Sequence, residues 1–254
     1  MPLTLQRGYW AGSAGGSEAT LESQLTMTSD NGDNWHSHFA TGCLWHPTTL
    51  RQPYATFGGQ MDCCRVSSVN RYSSASSVND TISIPSAEFS YDSDTLYLMN
   101  FNNADLTTPD SPSISASGST SSRNTTNTMF DSAGAWEGDG QLIGGSTYLY
   151  YGANPSSIID LRWDDEWTFE SFFYQDSDDD AFMGIMSNYY TNPQFWFGTD
   201  SYADDPPVTS FSWWTGGLSW YEIKSTTSLT LDTWYFYAIT NTTGGVLSSF
   251  LGEV

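Results

Sequence analysis

From Trp163 to Val254 the chain alternates short apolar runs with turn-forming residues, at the spacing of strands. The runs are Phe211–Trp214, Leu218–Ile223, Leu229–Leu231, Trp234–Thr240 and Val246–Leu251. Each is rich in aromatic and β-branched residues and is closed by Gly-Gly or by a Ser/Thr/Asp cluster. That pattern predicts an antiparallel meander with tight turns. Upstream, Glu166–Tyr174 alternates in and out, and Phe182–Met186 and Gln194–Gly198 read as further strands. About nine strands follow from turn signals at sandwich or barrel spacing. No convincing helical period or solenoid repeat interrupts them.

The first part of the chain is less regular. It has a Gly/Ser-rich opening (Gly12–Gly16), a short helix or strand around Glu18–Thr28, and a polar turn at Ser29–Asn34. A Ser-rich stretch, Ser67–Ser77, precedes a short strand at Thr81–Ile84 that Pro85 closes. We place a boundary near residue 93. Residues 1–93 are expected to form a small β-rich region or an extended anchor, and 94–254 the main domain.

Composition narrows the function classes. Aromatics make up 16% of the 254 residues, which predicts a folded chain rather than a disordered one. Acids outnumber bases 29 to 7, and Lys224 is the only lysine. A net charge of −22 excludes a basic nucleic-acid footprint and disfavours anionic membranes. No window approaches a transmembrane span, and the opening MPLTLQRGYWAGSAGG lacks a secretory-signal core. The three cysteines, two of them adjacent, fit synthesis in a reducing cytoplasm better than a disulfide framework.

Several clusters carry candidate chemistry. All the soft ligands fall in one window: His36, His38, Cys43, His46, Cys63 and Cys64. Cys43 and His46 have chelate spacing for zinc, but adjacent cysteines on a strand point to opposite faces, so buried thiols are the favoured alternative. Asp176, Asp178, Asp179 and Asp180 form an acidic loop between strands, and Asp164–Glu166 and Asp204–Asp205 are shorter acidic runs. Calcium requires six or more loop oxygens; a solvated loop is the competing account. Trp213, Trp214, Trp220, Tyr189, Tyr190 and Trp196 could stack on sugar rings or a partner, although alternation must turn half of them into the core. Asp164, Glu166 and Glu170 share one face of a regular strand, the nearest approach to a glycosidase carboxylate set. The sequons at Asn79, Asn124 and Asn241 are expected by chance in so Ser/Thr-rich a chain.

The order LYLMNFNNAD, FDSAGAWEGDGQL, STYLYYG, WTFESFFYQ, QFWFGTD, GGLSWYEI and LTLDTWYFYAITNTTGGVLSSFLGEV resembles the laminin G-like, concanavalin A-like jelly roll over roughly residues 94–254. The resemblance implies an all-β antiparallel jelly-roll sandwich and, at its rim, calcium. The family continues for several strands beyond the one matched by Gly245–Val254. We therefore expect the exposed edge to be covered by residues 1–93 or by another subunit.

Modules of this kind on acidic chains also resemble structural proteins of marine bacteriophages. The expected role is a non-enzymatic virion component, in capsid decoration or a tail appendage, with other virion proteins as partners. Homo-oligomerisation and weak adhesion to host-surface glycans belong to the same expectation. Alternatives are a carbohydrate-binding module of a bacterial surface protein or a concanavalin-like polysaccharide-degrading enzyme.

Overall fold

A computed structural model describes residues 16–27, 39–41, 43–46, 52–102, 123–124, 128–130, 135–139, 149–151, 161–162, 164–176, 182–187, 194–200, 206–214 and 220–254. Among these residues every regular element is a strand. The strands are β1 (Glu18–Thr26), β2 (Phe39–Thr41), β3 (Cys43–His46), β4 (Gln52–Thr56), β5 (Gly58–Ser67), β6 (Thr81–Ser83), β7 (Thr95–Met99), β8 (Arg123–Asn124) and β9 (Ala135–Asp139). They continue with β10 (Leu149–Tyr151), β11 (Trp167–Gln175), β12 (Phe182–Ser187), β13 (Gln194–Asp200), β14 (Val208–Trp214), β15 (Trp220–Ser228), β16 (Thr233–Asn241) and β17 (Val246–Glu253).

The strands form two sheets packed face to face, an all-β sandwich. Sheet A runs β6-β1-β17-β16-β11-β5-β9-β8, with β7 also on β5; sheet B runs β10-β2-β12-β13-β14-β15, with the β3–β4 hairpin beside β12. The long pairings are antiparallel, and β11 and β16 stay in register from Trp167↔Asn241 to Gln175↔Thr233. The expected strands at 166–174, 182–186, 194–198, 211–214, 234–240 and 246–251 all appear within a residue or a few of their predicted bounds. Leu229–Leu231 is instead the connection into β16, where Leu229 tucks into the core and Asp232 takes a positive φ of 62°.

Strict alternation explains the core. On β11, Trp167, Phe169 and Phe173 point between the sheets, as do Tyr235, Tyr237 and Ile239 on β16 and Phe211 and Trp213 on β14. Trp167 stacks on Trp213 with ring centroids 5.6 Å apart, and Phe197 stacks on Tyr237 at 4.5 Å. Such pairs add about 0.5–1.5 kcal/mol each beyond area burial.

The opposite face of sheet A is also buried. Phe172, Phe236, Ala238, Phe250 and Cys63 pack there under Tyr72, Ala75, Ile82, Ile84 and Phe89 from the 68–94 segment. Asp62, itself buried, accepts hydrogen bonds from the backbone N–H groups of Met129 (2.6 Å) and Phe130 (3.1 Å), and Phe130 meets Phe172 edge-on. The boundary expected near residue 93 therefore does not separate two folding units. β1, β5 and β6 are built into sheet A, and 68–94 roofs it.

The edge expected to be covered by residues 1–93 or by another subunit is covered by the chain's own β1. β17 pairs along its free side with β1, from Thr20↔Leu251 to Thr26↔Val246. β1 also seals the rim of sheet B. Its Ser23 Oγ donates to Lys224 O at 2.6 Å, while Glu22 accepts from Thr226 N and Oγ1 and from Thr227 Oγ1. Side chains of one strand thus occupy backbone groups on the edge of the other sheet.

Candidate functional site

Two polar assemblies stand out, and sheet geometry decides what each can do. The first lies under the 68–94 roof. Glu170 on β11 sits directly opposite Arg65 on β5, and Arg65 Nε donates to Glu170 Oε1 at 2.6 Å. Tyr72 donates its hydroxyl to the other carboxylate oxygen, and Arg71 Nε lies 3.8 Å from Oε1. Arg71 then grips Asp92 with both terminal nitrogens, at 2.9 and 2.8 Å. The Arg65 guanidinium stacks over Phe89 at 4.5 Å. Burial and the Glu170 charge push the Tyr72 phenol well up, and Arg71 beside Asp92 holds that carboxyl well below the usual range. Glu170 is sealed, and the set is paired and anchored to the roof, which suits a latch rather than a reactive centre.

That geometry corrects the expected strand face of Asp164, Glu166 and Glu170. Asp164 and Glu166 do not share a strand face with Glu170. They are exposed residues at a turn ahead of β11, where Asp165 accepts the backbone N–H of Arg162. Glu170 is buried on the roofed face and neutralised by Arg65.

The second assembly is the outward face of sheet B. Alternation along β13, β14 and β15 turns Phe195, Phe197, Phe211, Trp213 and Ile223 inward. Trp196, Asp200, Ser210, Ser212, Glu222 and Lys224 therefore face away from the core. Register aligns them in rows: Ser187–Trp196–Ser212–Glu222, and beside it Gly184–Gly198–Ser210–Lys224. Gly198 is required there, because a Cβ would sit 2.0 Å from the carbonyl oxygen of Met183. Lys224 Nζ bonds Asp200 Oδ2 at 2.7 Å, and Ser210 and Ser212 hydroxyls each lie 3.5 Å from Glu222 Oε1. Trp196, Asp200, Ser210 and Ser212 are buried, whereas Glu222 is exposed and Lys224 partly so. The face opens to solvent on its β15 side.

The other predicted residues are placed as follows. Trp213 is a core residue, stacked on Trp167 and fully buried, so it is not available to a glycan. Trp214 and Trp220 are cross-strand partners in β14 and β15. Tyr189 and Tyr190 lie outside the described residues, as do Asp178, Asp179, Asp180, Asp204, Asp205, His36 and His38. Asp176 is exposed and accepts from Gln60 Nε2 at 3.3 Å. Cys43 and His46 belong to β3.

The adjacent cysteines do split between faces. Cys63 lies on the roofed side and Cys64 in the inter-sheet core, so the two thiols cannot share one ion. Burial pushes the Cys64 thiol up to about 12 and the Cys63 thiol up as well. Asn79 sits in a turn with φ 76°, Asn124 on β8, and Asn241 is buried and donates to Asp165 O.

Of the outward face, only Trp196 had been singled out from sequence. Asp200, Ser210, Ser212, Glu222 and Lys224 were missed, although their even-numbered alternation in QFWFGTD, SFSWW and WYEIK carries the signal. Comparison with protein-family models, with curated proteins and with solved structures finds no match to this chain.

Proposed function

We propose that the chain is a non-enzymatic structural component of a virus particle, a sandwich of the laminin G-like jelly-roll kind, and that the outward face of sheet B contacts host-surface glycans. The observation that carries the binding half is the solvent-facing side of β15, where Glu222 is exposed and Lys224, paired with buried Asp200, is partly so. A carboxylate and an ammonium side by side match the hydroxyl donors and acceptors of a sugar. Sheet-borne side chains lose little entropy on binding, which favours weak, repeated contacts of the sort a multivalent particle exploits. The assembly half is supported by the acidic, lysine-poor composition together with the sequence resemblance.

A glycan array with the full chain tests the first half. Retention of a defined sugar class, lost in Glu222→Ala and Lys224→Ala while the melting curve is kept, supports it; no retained glycan refutes it. Mass spectrometry of purified particles tests the second half, and absence of the chain from them refutes it.

A further inference from the structure

The solvent side of β15 carries a fixed arrangement of charge. Glu222 is exposed, with its Oε1 3.5 Å from the Ser210 and Ser212 hydroxyls, and it meets no cation among the described residues. Lys224, the chain's only lysine, is held by Asp200 Oδ2 at 2.7 Å. The Asp200 side chain is 2% exposed, so water cannot take over the role of its cation. Thr226 and Thr227 follow along the strand, and Glu22 of β1 closes its end. Glu22 accepts from Thr226 N at 3.3 Å and from Thr227 Oγ1 at 2.9 Å, again with no cation among the described residues. The described part of this rim thus holds three acids and one base, and the base is engaged.

Resting on the glycan reading above, we infer that the sugar taken at this site is uncharged, seated by its hydroxyls on the Glu222 carboxylate, and that acidic sugars are excluded. An ionised carboxylate only accepts, and its two oxygens can take two neighbouring hydroxyls in charge-assisted bonds. A uronate, sialate or sulfate needs the reverse, a free ammonium or guanidinium. Lys224 can turn to such an anion only by leaving Asp200 buried without its cation, the costly outcome for a buried pair. The acid's own charge would also stand beside Glu222 and Glu22, and like charges brought together across an interface penalise binding. The field of a chain at −22 adds to that repulsion over roughly 8 Å at physiological salt. A neutral ring meets none of these costs.

An array printed with matched pairs tests this on the full chain: lactose and sialyllactose, a glucan and a glucuronan, N-acetyllactosamine and its sulfate. Retention of neutral members, with their acidic counterparts about tenfold weaker or more, is the expected result. The gap should narrow as ionic strength rises from about 0.01 M to about 1 M, where the screening length falls from about 30 Å to about 3 Å. In Glu222→Gln the neutral sugar should bind more weakly, because charge assistance is lost, and the gap should narrow at every salt concentration. Acidic members bound as well as neutral ones, or better, overturn the inference while the glycan reading stands. A gap that neither salt nor Glu222→Gln changes overturns it too, because shape rather than charge would then discriminate. If neither member of any pair is retained, the glycan reading itself fails, and this inference falls with it.

Discussion

Replacing Glu170 by alanine tests whether the sealed ion cluster holds the roof on sheet A. The carboxylate is fully buried and is met by Arg65 at 2.6 Å, by the Tyr72 hydroxyl and, at 3.8 Å, by Arg71. Removing it leaves the Arg65 guanidinium, whose side chain is only 10% exposed, without its anion. Breaking such a buried pair costs about 3–5 kcal/mol, against a total stability of about 5–15 kcal/mol for a typical domain. With a urea slope toward the upper part of the usual range of about 1–3 kcal/mol/M, the midpoint should fall by roughly 1–2 M.

The paired change Glu170→Leu with Arg65→Met removes both charges and should recover much of the loss, because the desolvation of the two ions also disappears. Limited proteolysis supplies the local readout: cleavage within 68–94 should quicken in Glu170→Ala and slow again in the double variant. A loss below about 1 kcal/mol would place the pair with exposed surface bridges and refute the latch.

Five further outcomes follow from the same structure. Gly59 has φ +132°, and a Cβ there would lie 1.9 Å from Tyr174 O, so Gly59→Ala should cost at least the roughly 1–3 kcal/mol of backbone strain, read by chemical denaturation. Cys63 and Cys64 should resist iodoacetamide until the protein unfolds, as peptide mass mapping would show. Because the folded Cys64 thiol keeps its proton up to about 12 while an unfolded thiol loses it near about 8.5, stability should decline with rising pH across that window, less steeply in Cys64→Ala.

Asp92 behaves oppositely. Its depressed folded value gives stability that is present above about pH 3.9 and fades as the pH drops toward the folded value, so Asp92→Asn should flatten the acid limb of the stability curve. With its side chain 41% exposed, the gain is under about 1 kcal/mol. Finally, Glu22→Ala with Ser23→Ala frees the rim groups of β15, and sedimentation should then show more self-association than in wild type; an unchanged profile would mean that β1 does not protect that edge.

The legible parts of this fold are those dense in aromatic residues. WTFESFFYQ and TWYFYAITN announce themselves because aromatics crowd both of their faces, one buried between the sheets and the other under the roof. The hairpin between β16 and β17 was equally plain: Gly245, with φ 73°, supplies the turn conformation that the Gly-Gly signal predicts. β5 was missed for the opposite reason. GGQMDCCRVS is buried along its whole length, yet Gln60, Asp62, Arg65 and Ser67 are polar. Its Asp62 and Arg65 are tolerated because Asp62 binds two backbone N–H groups and Arg65 meets Glu170 across the strand, partners that are 67 and 105 residues away. No local pattern encodes such distant satisfaction. The same limit hid the outward face of sheet B, where Asp200 and Lys224 become neighbours only through the register of three strands.

The N-terminal arm follows from the same reasoning. Its strand EATLESQLT is mostly polar: Ala19 and Leu21 enter the core, and the rest is exposed or half-buried. It is held instead by what the rest of the sandwich lacks. β17 needs a partner for its outer backbone groups, and β15 needs its rim closed. One strand with a ladder on one side and Glu22 and Ser23 on the other meets both needs. A polar strand suits this position because it lies at a seam, where side-chain oxygens do work that a methyl group could not. The outer side of β17 is thus met by β1 of the same chain.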